Sequence, residues 1–499
     1  MTLLIDGHSF HYEMENLCRV FYPHERIRVV YQPAEDETVI ATSLQREEGR
    51  TLVTASYRAF VTRESRTRQV DNGHTDYEKE CERQMAVALF EVLTTVRGFT
   101  PKWGILTGVR PVKLMRRLIA EEGSEEAAAR YFMERLLVSE EKTRLSLHTV
   151  KAENVHLQKS RPDSFSLYIS IPFCPTRCAY CSFVSVGIEK TFKLIPEYVR
   201  LLCREIEETG KIARDLHLRL ETVYFGGGTP TTLTAGQLTM LLDAVREHFD
   251  LSTVREYTVE AGRPDTITRE KLDALKAGGV TRVSINPQTM HDRVLSAIGR
   301  RHTAGQTVEA FRLARAAGFG NINMDLIAGL PADTAEGFAD TLRQVLALGP
   351  ESVTVHTLSL KRASDLNQSG EGAARTAGSR VTDMLQAAET LLGEAGLRPY
   401  YLYRQSRTLG NLENVGYSKP GFDGLYNVYI MDETHTILAV GAGAVTKLKE
   451  PGGPYIERIF NYKFPYEYNE RFSALLEKKK KVYEFYGRYP TFGAGADGD

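Results

Sequence analysis

Three cysteines lie close together in the stretch IPFCPTRCAYCSF, which runs from residue 171 to residue 183. They are Cys174, Cys178 and Cys181, half of the six cysteines in the chain, and their spacing is C-x3-C-x2-C. Thiolates in such short loops can bind three corners of an iron–sulfur cube, because each turn directs the next sulfur toward the same centre. Electron-carrying cubes normally use four cysteines, so a cube held by three leaves one iron open to another ligand. The spacing therefore predicts a cluster that takes part in chemistry.

Zinc is the alternative ligand for these thiols. A structural zinc site needs four ligands, and no histidine lies between residues 171 and 214. Cys203 is the nearest other thiol, but it lies within a segment of helical periodicity. The scarcity of cysteines indicates a reducing cytosol, where clustered thiols bind metal more often than they form disulfides. We therefore favour the iron–sulfur cluster.

A second signal is the glycine-rich stretch GGGTP, from Gly226 to Pro230. Glycines let the backbone approach a ligand closely and leave main-chain groups able to bind it. Taken alone, such a stretch is also typical of a tight turn between a strand and a helix. Its combination with the cysteine loop favours a ligand-binding turn.

Both motifs belong to a region in which strand-like and helix-like segments alternate. The strand candidates are LYISI, TVYFGGG, REYTVEAG, RVSINPQ, NINMDLIAG and SVTVHTLSL. One intervening helix begins with Thr234, followed three residues later by Gln237, which is the pattern of a capping box. This alternation predicts βαβ units and a parallel sheet. Six such units would form a partial (β/α)6 barrel, short of the eight units of the closed form.

Polar residues follow the ends of these predicted strands. They are Glu260 after the third, Gln288 after the fourth, Arg300 after the next short helix, and Asp325 in the fifth. Because the carboxyl ends of parallel strands meet at one edge of a barrel, we expect these side chains to converge on one cleft. Each of them could instead be a helix cap or a member of a surface ion pair.

The composition and the flanking regions indicate the domain organisation, the kinds of partner and the location of the protein. We expect an α/β protein with an N-terminal α+β domain in residues 1–160, the barrel in residues 161–365 and a C-terminal accessory domain in residues 366–499. The formal net charge is −1, so no nucleic-acid partner is expected. No apolar run is long enough to span a membrane, and the N-terminus does not look like a signal peptide. These features favour a cytoplasmic protein.

The two motifs resemble those of radical S-adenosylmethionine (SAM) enzymes. The resemblance rests on the motifs Y-x-S-I-P-F-C-x3-C-x-Y-C-S-F and Y-F-G-G-G-T-P. Within that superfamily the chain resembles the oxygen-independent coproporphyrinogen III oxidase family, in its HemZ-type, coproporphyrinogen dehydrogenase-like branch. The stretches WGILTGVRPVKL and YYLYRQSRTLGNLENVGYSKPG are similar to that branch. The resemblance covers nearly the whole chain.

The resemblance implies a [4Fe–4S] cluster and as many as two SAM molecules as cofactors. The cysteines of the loop match the cluster ligands. The residues that match contacts of the cluster-bound SAM are Tyr168, Gly227, Gly228, Thr229 and Glu260. Those that match contacts of a second SAM are Gln288, Arg300 and Asp325.

The resemblance also implies a function. An external electron donor, such as a flavodoxin or ferredoxin, would reduce the cluster, and SAM cleavage would yield a radical that removes hydrogen from a tetrapyrrole. In the oxidases, a propionate of coproporphyrinogen III then loses carbon dioxide to leave a vinyl group, on the way to protoporphyrinogen IX. Two alternatives exist within the wider family: a haem-binding or haem-delivery protein, and a methyltransferase that opens haem.

The chain departs from its relatives at four positions. Ser170 stands where the oxidases often have His, and Phe183 stands where they often have a further Cys. The haem-chaperone relatives carry H-N-x-x-Y-W, whereas this chain has Glu413 and Ser418 at the histidine and tryptophan positions. The missing histidine favours an enzyme over a chaperone, and the first two changes leave the oxidase reaction open.

Several basic residues and one histidine lie outside these motifs. Lys361 and Arg362 follow the sixth strand and are candidates for binding the carboxylates of a tetrapyrrole. The run from Lys478 to Lys481 is typical of a solvated helix face. His356, in the sixth strand, could point into the barrel or into packing, and the sequence does not separate these two orientations.

Overall fold

The computed structural model describes residues 1–23, 25–33, 36–181, 185–359, 371–405 and 408–489. Within these ranges, no helix has both the length and the apolar composition needed to cross a bilayer. The chain forms two compact units. The first contains Met1–Val150, Ser369–Thr382 and Tyr403–Glu413, and the second contains Lys151–Gln368, Asp383–Leu402 and Asn414–Asp499.

The first unit is an α+β arrangement around one mixed sheet. Along the chain its elements are β1 (Thr2–Asp6), α1 (His11–Phe21), β2 (Arg28–Val30), β3 (Thr38–Arg46), β4 (Arg50–Ala59), β5 (Thr62–Asp71), α2 (Tyr77–Arg97), α3 (Pro111–Glu122), α4 (Glu125–Arg130), a π-helix (Tyr131–Arg135) and α5 (Glu140–Leu157), the last of which continues into the second unit. The strand order is β2-β1-β3-β4-β5. Alternate residues of the strands, such as Leu3 and Ile5, pack with the apolar faces of α1 and α2 to form the core of this unit.

A buried polar cluster joins separate segments of the first unit. The Trp103 indole donates to the Glu413 carboxylate (Nε1 to Oε2, 2.7 Å), and Lys142 pairs with the same carboxylate (Nζ to Oε1, 2.8 Å). Burial opposes the charge of Lys142, but Glu413 and Glu141 raise its pKa above the usual value. Arg404 donates to the Gly108 carbonyl, and its guanidinium lies 5.2 Å from the centre of the Trp103 ring. Residues 103–108 therefore fold together with Arg404 and Glu413.

The rest of the chain contains strands and helices that largely alternate, as the sequence predicts, between residues 164 and 357. They are β6 (Ser164–Ile171), β7 (Phe173–Cys174), β8 (Val186–Gly187), α6 (Ile188–Thr191), α7 (Ile195–Asp215), β9 (Arg219–Gly227), α8 (Ala235–His248), β10 (Glu256–Gly262), α9 (Arg269–Ala277), β11 (Arg282–Ile285), α10 (Asp292–Ala297), α11 (Ala304–Ala316), β12 (Ile322–Ala328), α12 (Ala335–Leu348), β13 (Ser352–Thr357), α13 (Glu371–Glu394), β14 (Arg398–Arg404), β15 (Glu413–Ser418), α14 (Leu425–Asp432), β16 (Thr436–Val440), β17 (Val445–Lys449), β18 (Ile456–Phe460), α15 (Pro465–Glu470), α16 (Phe472–Lys479) and α17 (Lys481–Tyr486).

The large sheet of the second unit contains the predicted partial barrel. Its strand order is β14-β15-β13-β12-β11-β10-β9-β6-β16-β17-β18. The strands from β6 to β13 in this order are parallel, and helices connect them. The capping box at the start of α8 is confirmed, since Thr234 Oγ1 accepts from the Gln237 N–H and Gln237 Oε1 accepts from the Thr234 N–H. The (β/α)6 prediction is therefore confirmed.

Strand β16 extends the barrel sheet beyond its first strand, because it pairs in parallel with β6. The turn after β16 approaches β6 so closely that a Cβ at Gly441 (φ +94°) would lie 2.5 Å from the Ser170 carbonyl oxygen. The Ser170 hydroxyl donates to the Ala442 carbonyl at 2.8 Å. The small residue at position 170 therefore holds the turn that follows β16.

The lysine run near the C-terminus differs from its prediction as a solvated helix face. Lys479 is buried, and its ammonium pairs with the buried Glu205 carboxylate (Nζ to Oε1, 2.9 Å). The Lys478 ammonium lies 4.0 Å from the centre of the Tyr462 ring, a cation–π contact. The prediction is wrong for Lys479 because the buried Glu205 carboxylate on α7 needs a cationic partner, which charge patterning along the sequence does not reveal.

Candidate active site

The cysteine loop begins where β6 ends, at the C-terminal edge of the parallel strands. Its first residues form β7, which pairs with β8, and the Cys181 N–H donates to the Cys178 carbonyl at 3.1 Å. All three thiols are half-buried. Burial raises the pKa of Cys174, and the neighbouring thiols of Cys181 and Cys178 add to that shift. The three thiols therefore belong to one short loop, in which a bound cationic group would favour their thiolate forms.

The glycine turn after β9 packs directly against this loop. The Gly228 N–H donates to the Ile171 carbonyl at 2.7 Å, and the Thr229 N–H donates to the Phe173 carbonyl at 2.8 Å. A Cβ at Gly228 would lie 2.6 Å from the Phe173 oxygen and 3.0 Å from the Cys174 sulfur. Because a side chain cannot fit there, the turn brings main-chain groups next to the thiols, as a ligand bound across both motifs requires.

Two arginines contact the cysteine loop, one directly after β10 and the other between α10 and α11. Arg263, directly after β10, donates to the Thr176 hydroxyl (Nη1 to Oγ1, 2.5 Å) and pairs with Asp265. Arg300 donates to the Tyr180 hydroxyl (Nε to Oη, 3.2 Å). The sequence analysis did not identify Arg263, although its position at the end of the third strand was the available signal. These arginines position the loop.

Glu260 lies within an aromatic cluster at the same end of the barrel. Its carboxylate accepts from the Tyr224 hydroxyl (Oη to Oε1, 2.6 Å), and the ring of Tyr224 stacks on Tyr426 with centres 4.4 Å apart. Tyr168 stacks on the same pair. Burial raises the pKa of Glu260 to about 7, an effect that the Tyr224 hydrogen bond opposes and the nearby Asp325 carboxylate increases. The sequence analysis missed Tyr224 and Tyr426, because their contacts are distant along the chain.

The structure brings Gln288 next to Asp325. The Gln288 N–H donates to the Asp325 carbonyl at 3.0 Å, and the Ile327 N–H donates to the Gln288 carbonyl at 3.1 Å. Gln288 has a φ of +70°, and its buried Oε1 has no hydrogen-bond partner among the described residues. Such strained, unsatisfied groups cluster at ligand sites.

Arg300 donates to the Tyr180 hydroxyl and to the Asn286 carbonyl, and these contacts join it to the cysteine loop. Three residues named from the sequence, Phe183, Lys361 and Arg362, lie outside the described residues. Within the described ranges, no three His, Cys, Asp or Glu side chains are arranged to hold a single metal ion. The thiols of a cube bind separate irons and need not converge on one atom.

Comparison with known proteins agrees with this geometry. The radical SAM superfamily model matches residues 168–345. The oxygen-independent coproporphyrinogen-III oxidase-like protein HemZ of Bacillus subtilis (strain 168) is 38% identical over 493 residues, which cover 97% of this chain and 98% of that protein. The heme chaperone HemW of Lactococcus lactis is 32% identical over 281 residues, 56% of this chain and 68% of that protein.

A solved structure shares the fold. It is coproporphyrinogen III oxidase (HemN) from Escherichia coli, a radical SAM enzyme, with a TM-score of 0.50 and 23% identity over 65% of this chain and 73% of that one. The chain belongs to the radical SAM superfamily and, within it, to the family of oxygen-independent coproporphyrinogen III oxidase-like proteins of the HemZ type. Its cofactors are those of the superfamily, a [4Fe–4S] cluster and SAM.

Proposed function

We propose that this protein is a radical SAM oxidoreductase that converts coproporphyrinogen III to protoporphyrinogen IX without oxygen. The main support for this proposal is that the glycine turn packs directly on the three-cysteine loop. A Cβ added at Gly228 would lie only 3.0 Å from the Cys174 sulfur. In this proposal Cys174, Cys178 and Cys181 hold three irons of the cluster, and the fourth iron is open to SAM. When bound, the reduced cluster and SAM supply a radical able to remove a hydrogen atom from an unactivated carbon.

The chain's own residues bind and orient the reactants. The main chain of Gly227, Gly228 and Thr229 binds SAM beside the loop, and the Glu260 carboxylate accepts hydrogen bonds from it. Arg263 and Arg300 hold the loop at a fixed distance from the barrel. The stack formed by Tyr168 and its neighbours excludes water from the site, which strengthens these polar contacts.

The proposed conversion balances for each of two propionate side chains. One hydrogen atom is lost from the carbon next to the ring, the bond to the carboxylate breaks, and carbon dioxide leaves with one electron left over. The remaining two carbons form a vinyl group. A one-electron acceptor must take that electron, and a flavodoxin or ferredoxin must supply the electron that reduces the cluster, so the proposal includes small redox proteins as partners.

Glu413 supports an oxidase over haem delivery. In the haem-chaperone relatives a histidine stands at this position, whereas Glu413 here is 1% exposed and engaged by Trp103 and Lys142. A carboxylate held in such a pair is costly to release, about 3–5 kcal/mol when a partner is removed from a buried pair. It is therefore unsuited to binding a haem iron.

Product analysis tests the proposed reaction. The reconstituted protein is incubated without oxygen with coproporphyrinogen III, SAM, reduced flavodoxin and a one-electron acceptor. We expect 5′-deoxyadenosine, carbon dioxide and a divinyl product, in a ratio of one nucleoside to one carbon dioxide. The proposal fails if 5′-deoxyadenosine forms without carbon dioxide, while the protein binds haem tightly or transfers a methyl group to it.

The raised pKa of Glu260 predicts that SAM affinity increases with pH. Below a pKa of about 7 the carboxyl is neutral, and above it the anion can accept hydrogen bonds from the cationic amine or the ribose of SAM. From about pH 6 to about pH 8 the ionised fraction grows roughly tenfold, and the association constant should follow it.

Equilibrium dialysis of SAM on the cluster-loaded protein measures this dependence. Glu260→Gln should bind SAM weakly and with little change across the same range, while its iron and sulfide content stays at the wild-type level. A Glu260→Gln protein that keeps the wild-type pH profile would show that another group is responsible.

A further inference from the structure

His356 faces the interior of the partial barrel. It lies on β13, where Ser352 and Thr354 both donate to the Asn323 side-chain oxygen, at 3.0 Å and 3.2 Å. Alternate residues of a strand share a face, so the side chain of His356 lies on the same side as these two. It is paired in register with Ile327, two pairs beyond Asp325, toward the C-terminal edge where the cysteine loop begins. This resolves the choice between packing and barrel that the sequence left open.

An acidic side chain lies beside the imidazole. His356 Nε2 lies 3.9 Å from Asp325 Oδ2, which is an ion-pair distance and too long for a hydrogen bond. Asp325 is itself held by the Asn323 amide (Nδ2 to Oδ1, 2.7 Å). No other described residue forms a hydrogen bond with the imidazole, and 29% of the His356 side chain is exposed. One side of the imidazole ring therefore faces Asp325, and the exposed part of the ring can contact a ligand.

Three arginine side chains near the barrel interior already have hydrogen-bond or ion-pair partners. Arg282 is fully buried, and its guanidinium donates to the Ser352 hydroxyl at 3.1 Å. Arg300 is buried and donates to the Asn286 carbonyl and to Tyr180. Arg263 pairs with Asp265 and holds the cysteine loop. Compared with these three arginines, His356 has substantially more exposed surface.

The backbone of His356 is held rigidly. The next residue, Thr357, donates its N–H to the Asn414 side-chain oxygen at 2.9 Å. Strand β13 pairs with β15 on one side and with β12 on the other. A group fixed in this way binds a ligand with little loss of conformational entropy.

A polycarboxylate entering this barrel meets two acids, Glu260 and Asp325. An unpaired carboxylate is costly to bury, so a substrate that carries four of them needs a cation near the entrance. We propose that His356, held by Asp325, is an anion-binding subsite that takes one carboxylate side chain of the tetrapyrrole. This inference rests on the proposed function for the identity of the substrate, and it assigns a substrate-binding role to a residue of the sixth strand.

Binding of a stable porphyrin tests the subsite separately from turnover. Coproporphyrin III and its tetra-amide share one ring system but differ in charge, and each quenches protein fluorescence when it binds. For the cluster-loaded protein, His356→Gln should raise the dissociation constant of the tetra-acid about tenfold and leave that of the tetra-amide unchanged. His356→Lys should restore most of the affinity for the tetra-acid, because it returns a cation. Both variants should keep the wild-type iron and sulfide content.

His291→Gln is the matched control. This histidine also pairs with an aspartate (Nε2 to Asp340 Oδ2, 3.3 Å) and is similarly exposed, at 35%, but it lies on the loop before α10. It should bind both porphyrins as the wild type does. The inference is overturned if His356→Gln binds the tetra-acid with wild-type affinity, or if it loses affinity for both porphyrins equally.

The outcomes separate the subsite from the reaction. If the wild type binds coproporphyrin III in a His356-dependent manner but releases no carbon dioxide from coproporphyrinogen III, the proposed reaction fails and the subsite stands. If the reaction proceeds and His356→Gln has the wild-type KM and affinity, the subsite fails and the reaction stands. If the wild type binds neither porphyrin, the subsite is overturned, and product analysis with coproporphyrinogen III alone decides the reaction.

Discussion

Replacing Cys178 with alanine is expected to abolish both the broad visible absorption of the reconstituted protein and its cleavage of SAM. A cube held by three thiolates has no protein ligand to spare, so the loss of one should prevent stable binding. The same result is expected for Cys174→Ala and Cys181→Ala, because the three thiols lie near one another in one loop. Iron and acid-labile sulfide per chain, measured after anaerobic reconstitution, should fall close to zero.

Cys203→Ala is the control for this experiment. Cys203 is half-buried on α7, where its thiol contacts the Met240 carbonyl at 3.8 Å. Its loss should leave the iron and sulfide content and the rate of 5′-deoxyadenosine formation unchanged. Stoichiometric zinc without sulfide in the anaerobically purified wild type would show that the loop is a zinc site.

Gly228→Ala is expected to lower SAM cleavage at least about 100-fold, which corresponds to roughly 2.7 kcal/mol. The new methyl group would lie 2.6 Å from the Phe173 carbonyl oxygen, 2.9 Å from the Ile171 carbonyl oxygen and 3.0 Å from the Cys174 sulfur. Two of these atoms belong to the backbone and cannot turn away as a side chain can. The glycine turn and the cysteine loop must therefore separate, and the groups proposed to bind SAM move apart.

Gly236→Ala provides the matched comparison. Gly236 lies in the first turn of α8, and a Cβ there would have no neighbour within 4 Å. Alanine should stabilise that helix by roughly 0.5–1 kcal/mol and leave SAM cleavage intact. Iron content, thermal unfolding and 5′-deoxyadenosine formation, measured for both variants, separate a local effect at the site from general unfolding. Wild-type cleavage by Gly228→Ala would contradict the placement of SAM beside this turn.

Local patterns in the sequence were sufficient for the barrel and for the two central motifs. Strands show a period of two and helices a period of about 3.6, so segments such as Ile322–Ala328 are recognisable without any tertiary contact. The cysteine spacing and the run of glycines are likewise short-range features. Glu260 and Asp325 could be predicted as site residues from their positions along the strands, because parallel strands present their carboxyl ends at one edge.

The sequence did not reveal which partners these residues meet. Arg263 binds Thr176, which is 87 positions away, and Trp103 binds Glu413, which is 310 positions away. No period or spacing connects such pairs, since their proximity depends on how complete elements pack. The same is true of the pairing of Lys479 with Glu205, which turned a predicted surface lysine into a buried one.

The sequence by itself therefore determined the class of fold, the three thiols and the glycine turn, because backbone periodicity and short-range spacing encode them. Only the tertiary structure decided the stack of Tyr224 on Tyr426, the raised pKa of Glu260 and the orientation of His356 toward Asp325. Burial and electrostatic coupling depend on distances between elements that are remote in the chain. Those distances are set by the packing of the whole barrel.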